Sequence, residues 1–248
     1  MAAALRQNLD PGREARTLLG VSMTSDGQEP LHNRLSRLIA SDRAVPHLRS
    51  YFGVGPQQDA TTFTGSRFES LAGGGDRPAV ANTVTADDLI AVQTLSVRIP
   101  TQAALDLLEG ELGGQLSDLL SAVPTGVDMV EAETADLDPA SRAHKAWDLL
   151  CKQRGIGWVT AGKLLARKRP RLLPVYDQVV RCALGRPESP WLDLRTALRE
   201  NDCALHRELT ALRQAAGLTA AVSVLRVCDV VLWMGHREEH RKKGCAGT

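Results

Sequence analysis

Gly155-Ile156-Gly157-Trp158-Val159-Thr160-Ala161 is the stretch from which the fold can be read outward. Two glycines one residue apart permit a tight bend with no Cβ in the way of the backbone, and the run from Trp158 to Ala166 opens a helix after it. Helical sequence also precedes the bend: Asp138-Pro139 caps a segment carrying Ala143, Ala146, Trp147, Leu149 and Leu150, which Arg154-Gly155 stops. The segment reads as helix, two-glycine turn, helix. Amide N–H groups at the start of the second helix can then approach an anion directly, and the helix dipole favours that anion. Lys152 and Arg154 stand before the turn, and Lys163, Arg167, Lys168, Arg169 and Arg171 after it.

The same alternation of apolar faces and breakers extends in both directions. A helix is predicted over roughly 30–40, and Thr85-Ala86-Asp87-Asp88 is an N-cap with acids in the first turn of a helix that runs through Leu89, Val92, Leu95 and Val97 to Pro100. Thr101 restarts a helix, 112–123 supplies another, and 175–184, 191–213 and 217–235 follow the hairpin. No convincing strand pattern interrupts them, so an all-α fold of about ten helices is expected. Residues 1–30 are polar and without periodicity, and read as a loosely held leader.

With 248 residues, 43% of them hydrophobic, the chain can bury a substantial core, which excludes a disordered or fibrous protein. A net charge of +1 says nothing about partners, but its distribution does. Between Thr85 and Ser141 eleven acids accompany one base, Arg98, whereas between Arg142 and Arg171 nine bases accompany only Asp148. Bases gathered around a two-glycine turn are what a sugar-phosphate backbone would attract. Self-association through these opposite charges is the competing use. Five dispersed cysteines without a Cys-x-x-Cys pair point to a reducing cytoplasm. The apolar stretch 217–234 contains Arg226 and Asp229, charges that a bilayer core would penalise, so no membrane is expected. All three phenylalanines and Tyr51 fall within 51–68.

The hairpin, followed by Pro174-Val175-Tyr176-Asp177-Gln178-Val179-Val180-Arg181, resembles the helix-hairpin-helix (HhH-GPD) superfamily of DNA glycosylases. That family's hairpin runs apolar, Gly, apolar, Gly, two variable residues, Thr, Ala, with a Val-Asp or near variant opening a later helix. The likeness spans about 85–240, with 85–96 resembling the first core helix and Val231-Leu232-Trp233-Met234-Gly235 the closing one. It implies two helical lobes with a cleft between them: 86–167 forms one lobe, and 31–85 packs with 168–248 as the other. The chain departs from the pattern at Arg154, where proline is usual, and at Tyr176, where valine is.

The resemblance implies that Asp177 is the catalytic carboxylate and that Gly155, Ile156, Gly157, Trp158, Thr160, Lys152, Arg154, Lys163, Arg167 and Lys168 hold the DNA backbone. Departure of a base leaves positive charge on the sugar, which a nearby anion stabilises, and the same anion can activate water. Members that also cut the backbone place a lysine two residues after the second glycine. This chain has Val159 there, and Lys163 lies a turn further on, so a monofunctional enzyme is expected. No iron–sulfur cysteines follow the hairpin, and no cofactor or metal is expected, a monovalent cation at the hairpin being the one candidate ion.

An extruded base needs flat walls, and Tyr176, Tyr51, Phe52, Phe63 and Phe68 are the candidates, with packing of a subcore as the competing role for each ring. Trp147 and Trp158 are read as core. His236-Arg237-Glu238-Glu239-His240 fits a zinc pattern but leaves little chain for a third ligand, and is read as not metal-binding. The expected protein is a cytoplasmic, monomeric DNA glycosylase acting on a damaged or modified base in double-stranded DNA, for repair or against phage DNA. A catalytically inactive helix-hairpin-helix DNA-binding protein is the alternative.

Overall fold

A computed structural model describes residues 29–55 and 63–242, so the expectation of a leader over 1–30 lies almost wholly outside the described residues. These residues hold ten α-helices and three 3-10 turns, with no strand. The helices are α1 (Leu31–Ile39), α2 (Ala44–Phe52), α3 (Ala86–Gln93), α4 (Thr101–Glu109), α5 (Glu111–Ser121), α6 (Arg142–Cys151), α7 (Trp158–Lys168), α8 (Gln178–Ala183), α9 (Pro190–Ala215) and α10 (Val224–Lys242). The all-α expectation holds. None of these helices is long and apolar enough to cross a membrane.

Local chemistry sets most of the boundaries. Thr85 caps α3 through a capping box: its hydroxyl accepts from the Asp88 N–H at 3.3 Å and its own N–H donates to Asp88 Oδ2 at 3.0 Å. The helix stops at Gln93 rather than reaching Val97, because the chain turns at Ser96 (φ 60°) and the Leu95 carbonyl accepts from a lysine of α7 instead of a helical N–H. α6 is capped by Ser141, whose hydroxyl accepts from the His144 N–H at 3.1 Å, so the expected cap at Asp138-Pro139 is corrected to a position three residues on. The helix expected over 175–184 is shorter, because Asp177 is its N-cap and residues 174–177 before it are not helical. α9 is broken at Glu200–Cys203, where three consecutive side-chain-bearing residues take left-handed backbone angles.

The described residues from Leu31 onward form one unit. α10 packs on α1, α2, α8 and α9, and α1 and α2 also pack on α9; α3 and α6 pack on α7, and α5 lies between α4 and α6. The apolar core runs through both groups, from Leu35 and Leu48 to Leu116, Leu120, Leu150, Leu165, Leu205 and Val227.

The C-terminal end of α7 is the unexpected part of that core. Arg167, Lys168 and Arg169 are 1%, 0% and 2% exposed. Arg167 donates to the carbonyls of Phe68, Glu69 and Leu71 and to Asp88 Oδ1, and Lys168 donates to the carbonyls of Val80 and Thr83 and to Asp88 Oδ2. Arg169 reaches the carbonyls of Ala81 and Val123 and the Asn82 amide oxygen. Segment 68–83 contains only short 3-10 turns, so its carbonyls need partners from elsewhere, and the cations at the end of α7 supply them. Burial lowers the Lys168 pKa and pushes that of Arg169 down to about 10.

Candidate active site

The bend is built as its sequence requires. Gly155 takes φ +81°, and a Cβ there would stand 2.6 Å from Pro100 Cγ, so the first glycine is demanded both by its backbone angle and by the close approach of the α3–α4 loop. Gly157 is the N-cap of α7 in an extended conformation with nothing within 4 Å of where a Cβ would stand, which leaves the approach to the helix N-terminus open. Ile156 is buried and anchors the turn, while Lys152, Arg154, Gly155 and Gly157 are exposed. Trp158 is half-buried and Thr160 buried.

α7 and the segment 174–177 each divide their side chains between two cavities. Trp158 and Gly162, one helical turn apart, line one cavity with Pro174 and Tyr176; Val159 and Lys163 line the other with Val175 and Asp177. The cavity holding Asp177 has a volume of about 320 Å³, at the lower end of the size range of small-molecule sites. Its remaining walls include Tyr51, Phe63, Leu95, Arg226, Asp229 and Trp233.

Asp177 is oriented by its own helix. Its Oδ1 accepts from the N–H groups of Val179 at 3.0 Å and Val180 at 3.1 Å, and its Oδ2 lies 3.6 Å from Lys163 Nζ. Lys163 also donates to the Leu95 carbonyl at 2.9 Å, and burial lowers its pKa against the opposing pull of Asp177. A second carboxylate shares the cavity. Burial pushes Asp229 up to about 7, against the Arg226 guanidinium with which it forms an ion pair. Arg226 also donates to the Tyr51 hydroxyl at 2.6 Å and the Gly65 carbonyl at 2.9 Å, tying α10 to the aromatic wall.

That wall is three rings deep. Tyr51 and Phe63 stack with centroids 5.0 Å apart and an 8° interplanar angle, and Trp233 meets both edge-on at 6.3 and 5.8 Å. The Arg237 guanidinium lies 5.2 Å from the centroids of Phe63 and Trp233. Of the five aromatic candidates, Tyr51 and Phe63 therefore meet Asp177 in one cavity. Phe68 is fully buried in the core, Phe52 packs edge-on against Tyr51 at 5.2 Å, and Tyr176 belongs to the neighbouring cavity.

The basic block needs correction. Arg167 and Lys168 cannot touch a DNA backbone, since both are buried with their donors engaged by carbonyls and Asp88. Lys163 is likewise inside the cavity and not on the outer face of the hairpin. The exposed cations of the block are Arg142 and Lys145 in the first turn of α6, Lys152 and Arg154 beside the bend, and Arg171, which pairs with Asp128 at 2.6 Å. Arg226, Asp229 and Trp233 were not read as site residues. The signal available for the first two was a charge pair three residues apart inside an apolar helix, a costly arrangement unless the pair is matched and used. At the C-terminus, His236 faces Cys182, with Nε2 3.1 Å from Sγ, and also Glu239.

The fold and site thus define an all-helical protein with a two-glycine helix junction beside a cavity that holds two carboxylates, a lysine and an arginine. The chain belongs to a Family of unknown function (DUF6308), which matches residues 44–236 and so includes every residue of that cavity. No curated protein and no solved structure matches it.

Proposed function

We propose that the chain is a monofunctional DNA glycosylase that hydrolyses the N-glycosidic bond of a damaged or modified base and leaves an abasic site. The observation that carries this reading is the Asp177 carboxylate, oriented by two amides of α8, in an aromatic-walled cavity that Val159 and Lys163 of α7, the helix begun by the two-glycine bend, also line. In this reading α1, α2, α8, α9 and α10 make one lobe and α3 to α7 the other, with the Asp177 cavity as the cleft. The exposed amides at Gly157 and the cations Lys152 and Arg154 grip the sugar-phosphate strand of double-stranded DNA.

Chemistry follows from the geometry. The extruded base stacks against Tyr51, Phe63 and Trp233, and the sugar lies towards Asp177. As the glycosidic bond lengthens, positive charge grows on the sugar, and the fixed carboxylate stabilises it more than the neutral ground state. Asp177 Oδ2, the oxygen not held by the α8 amides, accepts a proton from the attacking water. Val159 occupies the place where a Schiff-base lysine would act, and Lys163 Nζ is held by the Leu95 carbonyl and Asp177, so hydrolysis ends the reaction. The protein works as a monomer in the cytoplasm without a cofactor, in repair or against invading modified DNA.

A second reading has its own support. Asp177 caps α8 and faces Lys163, a purely structural use of both oxygens that suits an inactive hairpin DNA-binding protein. The two separate in one experiment: a panel of duplexes, each with one modified base, is incubated with the protein and treated with mild alkali to reveal abasic sites. The glycosylase reading expects cleavage of at least one duplex by the wild type and none by Asp177→Asn. Equal silence from both across the panel, with salt-dependent binding intact, assigns the chain to the binding class.

A further inference from the structure

On the other side of segment 174–177 lies a larger cavity of about 490 Å³, and it is built differently. Trp147, Trp158, Trp191 and Tyr176 give it flat walls, with His144 against Trp191 at 4.6 Å between ring centroids. Two polar atoms of its lining residues, the Tyr176 hydroxyl and His144 Nδ1, are buried without a hydrogen-bond partner. An unpaired buried polar group costs about 1–3 kcal/mol, so two among the residues that line one cavity favour an occupant that pairs with them. We propose that this cavity is a second binding site, and that its ligand is a flat nitrogen heterocycle of the purine or pyrimidine kind.

The argument is one of matching faces and edges. Three indoles and a phenol offer stacking surfaces, which select a planar π-system over a branched aliphatic one. A hydrocarbon ring would stack but leave the hydroxyl and the imidazole nitrogen unpaired, whereas ring nitrogens and exocyclic groups supply a donor and acceptors at the ring edge. Burial pushes the Tyr176 pKa up to about 12, so it meets the ligand as a neutral O–H donor. Arg181 lies 5.7 Å from the Trp158 ring centroid and stiffens that wall. Trp158 is also the first residue of α7, so the site adjoins the bend, and the heterocycle can arrive either as a base in a strand or as a free molecule. The site stands whether or not Asp177 is catalytic, because alternate residues of 174–177 face the two cavities.

Tryptophan fluorescence reads it out. Three of the four tryptophans line this cavity and the fourth, Trp233, lines the other, so Trp233→Phe leaves reporters only here. That protein is titrated with free adenine, free cytosine, a short single-stranded oligonucleotide, and toluene as the apolar control. Saturable quenching is expected with a base or with the strand, about tenfold weaker when Tyr176→Phe or His144→Gln is added, the equivalent of losing one hydrogen bond, and unchanged by Asp177→Asn. Response to the strand alone marks a base presented by nucleic acid; an equal response to free bases marks a small-molecule site. No saturable response to any base or strand, toluene binding as well as adenine, or a response abolished by Asp177→Asn but untouched by both lining variants would each overturn the assignment.

Discussion

Replacing Asp88 by asparagine should be among the most damaging single-atom changes in the chain. The side chain is 1% exposed and accepts from Arg167 Nε at 3.0 Å, Lys168 Nζ at 2.8 Å and the Thr85 N–H at 3.0 Å. Asparagine keeps the volume and part of the helix cap but removes the carboxylate charge that pairs with two cations exposed by 1% and 0%. Breaking a buried ion pair in this way costs about 3–5 kcal/mol, a large share of the roughly 5–15 kcal/mol that holds a domain together. For a chain of this length each kcal/mol moves Tm by about 2–4 °C, so a fall of about 6–20 °C is expected. Urea unfolding followed by far-UV circular dichroism measures it, with the midpoint falling at unchanged slope. Adding Lys168→Met to Asp88→Asn should restore part of the loss, since the second variant removes one uncompensated charge. A loss under about 1 kcal/mol would mean that these cations are not structural pins and would return them to the list of DNA contacts.

Other expectations follow from single sites. Gly155→Ala places a methyl group against Pro100 at a left-handed backbone angle, and should cost about 1–3 kcal/mol by urea unfolding. Lys152→Ala with Arg154→Ala changes two exposed cations, so stability should move by less than about 0.5 kcal/mol while the slope of log K against log salt falls by about 2 in a duplex-binding titration. Asp229 has a folded pKa of about 7, well above its unfolded value. Between about pH 4 and 7 the folded chain therefore keeps a proton that the unfolded chain has lost, and stability from this group falls as pH rises through that window and is level above it. Burial raises this value, Asp177 adds to it, and Arg226 and Lys163 oppose it; Asp229→Asn should flatten the pH dependence of urea unfolding across the same range. Borohydride added during turnover should trap no covalent protein–DNA adduct at Lys163.

The helices were legible because their signals are local. Thr85 and Asp88 are three residues apart and form the cap that their spacing implies, and Gly155 takes the left-handed angle that a two-glycine bend permits. Asp177 was singled out through the family resemblance of residues 174–181, and the structure lines a cavity with it. The fate of the basic block was not legible, because a run of bases looks the same whether it faces water or carbonyls. Arg167 meets its partners at residues 68–71 and 88, and Lys168 at 80, 83 and 88, separations of about eighty to a hundred residues that no local pattern encodes. The aromatic cavity was hidden for the same reason, its walls being drawn from α6, α7, α8, α9 and three loop segments. Asp229 showed itself as a charge within an apolar helix, but its place beside Asp177 depends on how α10 packs on α8.

The most direct test is the single-turnover rate of free-base release from a duplex that the wild type processes, compared with Asp177→Asn under conditions where both bind the duplex to saturation. A fall of about 10²–10⁴-fold with unchanged binding is expected if the carboxylate both steadies the sugar cation and activates water. Equal rates in the two proteins would contradict a catalytic Asp177 and leave it as the cap of α8.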